Sequence, residues 1–230
     1  MAEDSWVSAP VWEDWRVLTR TIYCSRIAFE AEISKWTAPS LTYSGKIVIQ
    51  FTDNNTKFET HLDEHIETIA DGSFFYSMIL LRAVSLLESH SKLVRYIVTN
   101  NKWDLFERTI SESEREEVNK IRLSGGIANW GTNLLFAVGQ SWDKVRTSQS
   151  GLQEVLLVRN TIAHGYNYFT PSRYNEIKSI APDFPFNVND PIRITHDLLQ
   201  DYRSRIKAFL RITCDGVYHT NKTNRTPSHS

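Results

Sequence analysis

Cysteine is almost missing: Cys24 and Cys214 are the only two in 230 residues. They are too few and too far apart for a disulfide framework or a four-ligand zinc module, which leads us to expect a reducing compartment. Glycine, at nine residues, and proline, at seven, are equally sparse, which excludes collagen-like and low-complexity classes. Charge of one sign is missing as well. Lys and Arg number 26 against 27 Asp and Glu, a net charge of −1. No bulk positive field draws such a chain to phosphate backbones or anionic membranes, so any nucleic-acid contact has to be built locally. The most apolar stretch, Phe74 to Leu87, is interrupted by Ser77, Arg82 and Ser85 and is shorter than a bilayer span. The acidic opening Met1-Ala2-Glu3-Asp4-Ser5 lacks the basic and apolar regions of a secretory signal. A soluble, cytoplasmic protein with no membrane contact is the expectation, and the sequon Asn221-Lys222-Thr223 is then accidental. What the chain does have is apolar mass, 41% of residues with seven Trp, enough for a sizeable core.

Periodicity divides the chain into three. In residues 1–70, Trp15, Leu18, Ile22, Phe29, Ile33 and Trp36 recur at helical steps, predicting an amphipathic helix over Val11 to Trp36 that ends near Pro39. Lys46 to Phe51 and Lys57 to Leu62, β-branched and aromatic on either side of Asp53-Asn54-Asn55, predict a hairpin. From Asp71 to Cys214 the helical period dominates. A long apolar helix to about Val98, with Asp71 or Ser73 as its cap, should be the spine of a bundle. A short helix follows Ser111, whose hydroxyl and the carboxylates behind it suit a helix start. Further helices are expected over 127–138, 151–164 and 197–212, and a disordered polar tail over 215–230. The fold class is therefore mainly α, a helical bundle with a small α+β segment at its N-terminus. That segment, with Trp12 or Trp15 exposed, is the expected sensor or partner surface.

One string carries chemistry: Val158-Arg159-Asn160-Thr161-Ile162-Ala163-His164-Gly165-Tyr166, at the end of a predicted helix. Arg159 offers a planar, permanently charged fork for phosphate. His164 is the side chain that exchanges a proton near neutrality, and Asn160 can orient either group. A purely structural reading also fits, with His164 in a last turn and Gly165 as a left-handed cap. Along one helix the Arg and His are separated by about 7.5 Å of rise and about 140° of rotation. A two-fold dimer, which repeats the same patch, would gather two copies of each into one cleft.

Other motifs are weaker. His61-Leu62-Asp63-Glu64-His65 has the spacing of inverted zincins, but no Glu lies between Glu117 and Glu154 to complete a metal site, and the residues before His61 read as strand. No metal and no cofactor are expected. Gly125-Gly126 lack the lysine of a phosphate loop and read as a loop, and neither cysteine sits in an activated setting. The basic run from Arg203 to Arg211 reads as a solvated helix face with Asp197 and Asp201 as partners.

The Arg159-Asn160-x-x-x-His164 string resembles the motif of HEPN-superfamily ribonucleases, an Arg followed by a polar residue and, after four to six positions, a His. Tyr166 extends it to the Arg-x4-His-x-Tyr form of toxins paired with nucleotidyltransferase antitoxins, in which that Tyr is modified. The resemblance covers about residues 71–214. It implies a helical bundle in which the motif follows a long antiparallel helix pair, a homodimer with a composite site, and metal-independent RNA cleavage through attack of the 2′-hydroxyl on phosphorus. His164 would be the general acid or base, Arg159 would stabilise phosphoryl charge and Asn160 would orient. A carboxylate from the long helix, here Glu88, would support them. A toxin or antiviral effector cutting transfer or messenger RNA, restrained by an antitoxin or other regulatory partner, is the implied role. A non-catalytic module binding a partner protein or nucleotide is the alternative.

Overall fold

The computed structural model describes residues 9–37, 45–50 and 57–225. The predicted Asp53 to Asn55 turn and the chain end beyond 225 lie outside them. Among the described residues the order is α1 (Val11–Thr37), β1 (Lys46–Gln50), β2 (Lys57–His61), α2 (Leu62–Asp71), α3 (Ser73–Asn100), α4 (Glu112–Lys120), α5 (Gly126–Ala137), α6 (Ser148–Ala163), α7 (Pro171–Ile180) and α8 (His196–Arg225). The fold is mainly α with one small hairpin. Antiparallel β1 and β2 pair in the register Lys46 to His61 through Gln50 to Lys57.

The spine is α3. Leu80, Ala83, Val84, Leu87, Val94 and Ile97 are fully buried, recurring at three and four residues so that one broad face meets neighbours on several sides. With α2 it forms a run long and apolar enough, by length and composition, to cross a membrane. This exceeds the Phe74 to Leu87 stretch read from sequence because the helix continues beyond it at both ends. Leu80, Ala83, Val84, Leu87, Val94 and Ile97 nevertheless pack inside the chain, in one cluster with α1, α5, α6 and α8, while Phe74 and Met78 face solvent.

Two contacts fix how α8 lies on α3. The Ile194 N–H, just before α8, donates to Ser73 Oγ at 3.0 Å, and His90 Nε2 lies 3.1 Å from Thr213 Oγ1. Both numbers rise together, so α3 and α8 run parallel. Trp12 adjoins Cys214, itself 3.7 Å from His90, while Phe29 meets Phe75 edge-on at 5.4 Å. α1 therefore runs antiparallel to α3.

Several expectations need correction. Trp12 and Trp15 are buried, 4% and 6% exposed, because the first half of α1 belongs to the common core and not to a separate surface. The disordered tail is absent over 215–225: α8 continues to Arg225, since Val217 and Asn221 are buried and Asn221 donates to Glu107 at 3.2 Å. Gly216 permits this. A Cβ there would come within 2.6 Å of the Val138 carbonyl oxygen, a backbone approach only glycine allows. Neither Asp71 nor Ser73 caps α3. Asp71 ends α2, left-handed Gly72 (φ 56°) joins the two helices, and the Ser73 hydroxyl serves the Ile194 amide instead. The basic run on α8 is not all solvated: Arg203 is buried against Thr19, Gln200 and the Trp15 ring. Ser111 does cap α4 as expected, with Glu114 completing a reciprocal capping box.

Candidate functional site

The motif occupies the end of α6. Its buried side, Leu152, Val155 and Val158, locks the helix into the core, and buried Glu154 ties it to α8 by accepting from Tyr202 Oη at 2.9 Å and Arg205 at 2.6 Å. The guanidinium stabilises the Glu154 carboxylate in a place where an unpaired charge would be costly. Five residues on, Arg159 emerges half-buried.

The Arg159 guanidinium donates to Glu88 Oε1 on α3, across 71 positions of sequence. The arginine side chain is 18% exposed and the glutamate 41%, so the pair sits at the rim of the core with one flank in solvent. Arg159 Nε is buried without a hydrogen-bond partner, while Nη2 holds Glu88. This fixes the fork in one orientation at the surface.

Beyond it α6 ends in a Schellman motif. His164 is the C-cap, the Gly165 N–H donates to the Ile162 carbonyl at 2.9 Å, and the Tyr166 N–H donates to the Thr161 carbonyl at 3.2 Å. Gly165, at φ 77°, supplies the left-handed turn. The chain is then pinned by bridges from Tyr168 to Pro191 and from Phe169 to Val188, over a cluster of Phe169, Phe184 and Phe186 with ring centres 5.0–5.3 Å apart. His164 and Tyr166 are exposed and Asn160 is half-buried. Among the described residues none of the three side chains makes a hydrogen bond.

Arg159 and Glu88 are thus brought together within one chain, whereas His164 lies beyond them on the same helix without contacting either. Sequence reading missed three neighbours, Lys92, Arg95 and Arg122. The first two were legible as positions i+4 and i+7 from Glu88 on one face of α3.

The zinc-like string does not form a site. His61 closes β2 while His65 sits inside α2, so the two do not share a helix face, and His65 Nε2 lies 3.3 Å from Glu32 on α1. Among the described residues no group of three His, Cys, Asp or Glu could hold a metal ion. Cys24 is exposed and Cys214 buried, both free, and burial pushes the Cys214 thiol well above its ordinary range, which makes it unreactive. The chain matches no family model, no curated protein and no solved structure.

Proposed function

We propose that the protein is an endoribonuclease of the HEPN type, working as a homodimer without a metal and acting as a toxin or antiviral effector. The observation that carries this reading is the Arg159 fork held by Glu88 at the rim of the core, with half-buried Asn160 next to it on α6 and exposed His164 capping that helix.

In this reaction the ribose 2′-oxygen attacks the adjacent phosphorus as a base removes its proton. The bond from phosphorus to the 5′-oxygen breaks, a proton is delivered to that oxygen, and a 2′,3′-cyclic phosphate remains. The nucleophile is already attached to the substrate, so the protein has to orient, move protons and stabilise charge. His164 is the proton-transfer group, exposed where a strand can reach it. Arg159 stabilises the negative oxygens of the crowded phosphorus, and Asn160 orients substrate or imidazole. Glu88 is a positioning residue, acting through Arg159. Because Arg159 and His164 stand on different azimuths of one helix, a second copy across a two-fold axis supplies the facing groups.

The test is cleavage of total RNA by the purified protein in excess chelator, beside folded His164→Ala and Arg159→Ala variants. Cutting that survives chelation and disappears in both variants is the expected result. Activity that chelator removes but the variants retain overturns the assignment. A second reading, a non-catalytic module binding a phosphate-bearing partner, draws on the lack of contact between His164 and Arg159, and it predicts binding without cutting.

A further inference from the structure

Beside the Arg159 and Glu88 pair the surface is hollowed into an open groove between α3 and the segment joining α4 to α5. Glu88, Lys92, Asn119, Lys120 and Arg122 line it. Across Leu123 and Ser124 it continues into a second hollow lined by Arg95, Thr99, Asn129 and Asn133. The strip thus leads away from the site along one side of α3.

Its charges do not cancel. Glu88 is engaged by Arg159, and Lys120 pairs with Glu117 at 2.6 Å. Among the described residues no carboxylate pairs with Lys92, Arg95 or Arg122, and the Arg95 guanidinium donates only to the Arg122 carbonyl at 3.2 Å. Lys92 and Arg95 stand one and two turns past Glu88, about 6 and about 10 Å along the axis. Arg122 forms the opposite wall. A chain whose net charge is −1 therefore gathers three unneutralised cations in a concave strip. Such a strip follows a polyanion, because low-dielectric walls on both sides concentrate the field. At the far end Asn129 and Asn133, both exposed, join amide to amide at 2.8 Å and keep further donors and acceptors for base edges.

Resting on the ribonuclease reading for the identity of the polyanion, we propose that this groove carries the single-stranded RNA flanking the cut. Lys92, Arg95 and Arg122 hold successive phosphates, and the Asn129 and Asn133 amides meet a base. Single-stranded RNA fits better than a duplex, since an unpaired strand leaves its bases free for the amides and its 2′-hydroxyl free to turn in line with the phosphorus.

The experiment measures the salt dependence of binding to a short fluorescent 2′-O-methyl oligoribonucleotide, which cannot be cut by 2′-hydroxyl attack. Wild type is compared with a Lys92→Ala plus Arg122→Ala variant and with Lys207→Ala on the exposed face of α8. Lys92 is half-buried, and Arg122 and Lys207 are exposed, so circular dichroism should show all three folded alike. The double variant should bind more weakly, and the slope of log affinity against log salt should fall by about 1.4, about 0.7 for each lost phosphate contact. Lys207→Ala should leave both unchanged. An unaltered slope and affinity in the double variant overturns the groove. If the wild type still cuts ordinary RNA in that case, the ribonuclease reading stands without it. Groove-dependent binding without cutting supports the groove and overturns the ribonuclease. Groove-dependent binding of polyglutamate in preference to the oligonucleotide overturns the RNA assignment.

Discussion

A guanidinium gripped by one carboxylate at the edge of a core is a different reagent from a free surface arginine. Glu88 restrains the Arg159 side chain, so in the proposed reaction its remaining donors would meet the phosphate already oriented and lose less freedom on binding. Two substitutions separate charge from geometry. Arg159→Lys keeps the charge and removes the fork, and RNA cleavage should fall at least about a hundredfold, near the loss of Arg159→Ala. Glu88→Gln leaves a neutral partner and should lower kcat by about tenfold while KM stays near wild type, since the carboxylate acts through the arginine. Full activity in Arg159→Lys would show that a point charge is enough. A Glu88→Gln effect confined to melting temperature would make Glu88 structural only.

The element that matters most is the last turn of α6, because it aims His164 and Tyr166. Its geometry depends on Gly165 in the left-handed region, with nothing within 4 Å of the place a Cβ would take. Gly165→Ala therefore meets backbone strain without a clash, and should cost about 1 kcal/mol of stability. It should also reduce cleavage beyond what that loss explains, since His164 precedes the strained residue. Ser111→Ala, which removes the α4 cap, should cost a similar amount, about 1 kcal/mol, and leave cleavage unchanged. Denaturant unfolding beside RNA cleavage checks both, and equal activity in the two variants would mean that the turn does not position the histidine.

Across the whole molecule, the contact that ties α3 to α8 contains a buried histidine. His90 is 4% exposed and bonded to Thr213, and burial holds its pKa down at about 4. The folded protein keeps it neutral, whereas the unfolded chain protonates it near pH 6.5. Unfolding then takes up a proton at acid pH, so stability should fall as pH drops from about 6.5 toward 4, by on the order of 3 kcal/mol. His90→Gln should flatten that part of the profile in urea unfolding measured against pH. An unchanged slope would assign the acid sensitivity to other groups. The proposed dimer makes its own prediction. Analytical ultracentrifugation should give twice the chain mass of 26.6 kDa at activity-assay concentrations, and mixing inactive Arg159→Ala and His164→Ala proteins should restore measurable cutting through heterodimers that hold one intact copy of each residue. A monomer that cuts, or a mixture that stays inactive, would refute a shared site.

Local rules determined the elements. Helical repetition of Trp15, Leu18 and Ile22, the apolar span of α3, the β-branched pair of strands and the Ser111 box were all legible, because each is a contest among neighbouring residues. The short helices α2 and α7 were not, since ten-residue segments form helices only when packing supports them. Nor was the ordered end of α8, whose polar residues are held by a distant Glu107 and by room made at Gly216. For the candidate site the sequence supplied the string Arg159, Asn160 and His164 with the turn that ends it, and named Glu88 only by resemblance. Placing the Glu88 carboxylate on the Arg159 guanidinium, burying Trp12 and Trp15, and bringing Lys92, Arg95 and Arg122 to one groove were decided by tertiary structure alone. The physical reason is that spacing along a chain records which side chains share a helix face, whereas which helix that face meets depends on how all the faces bury their apolar surface together.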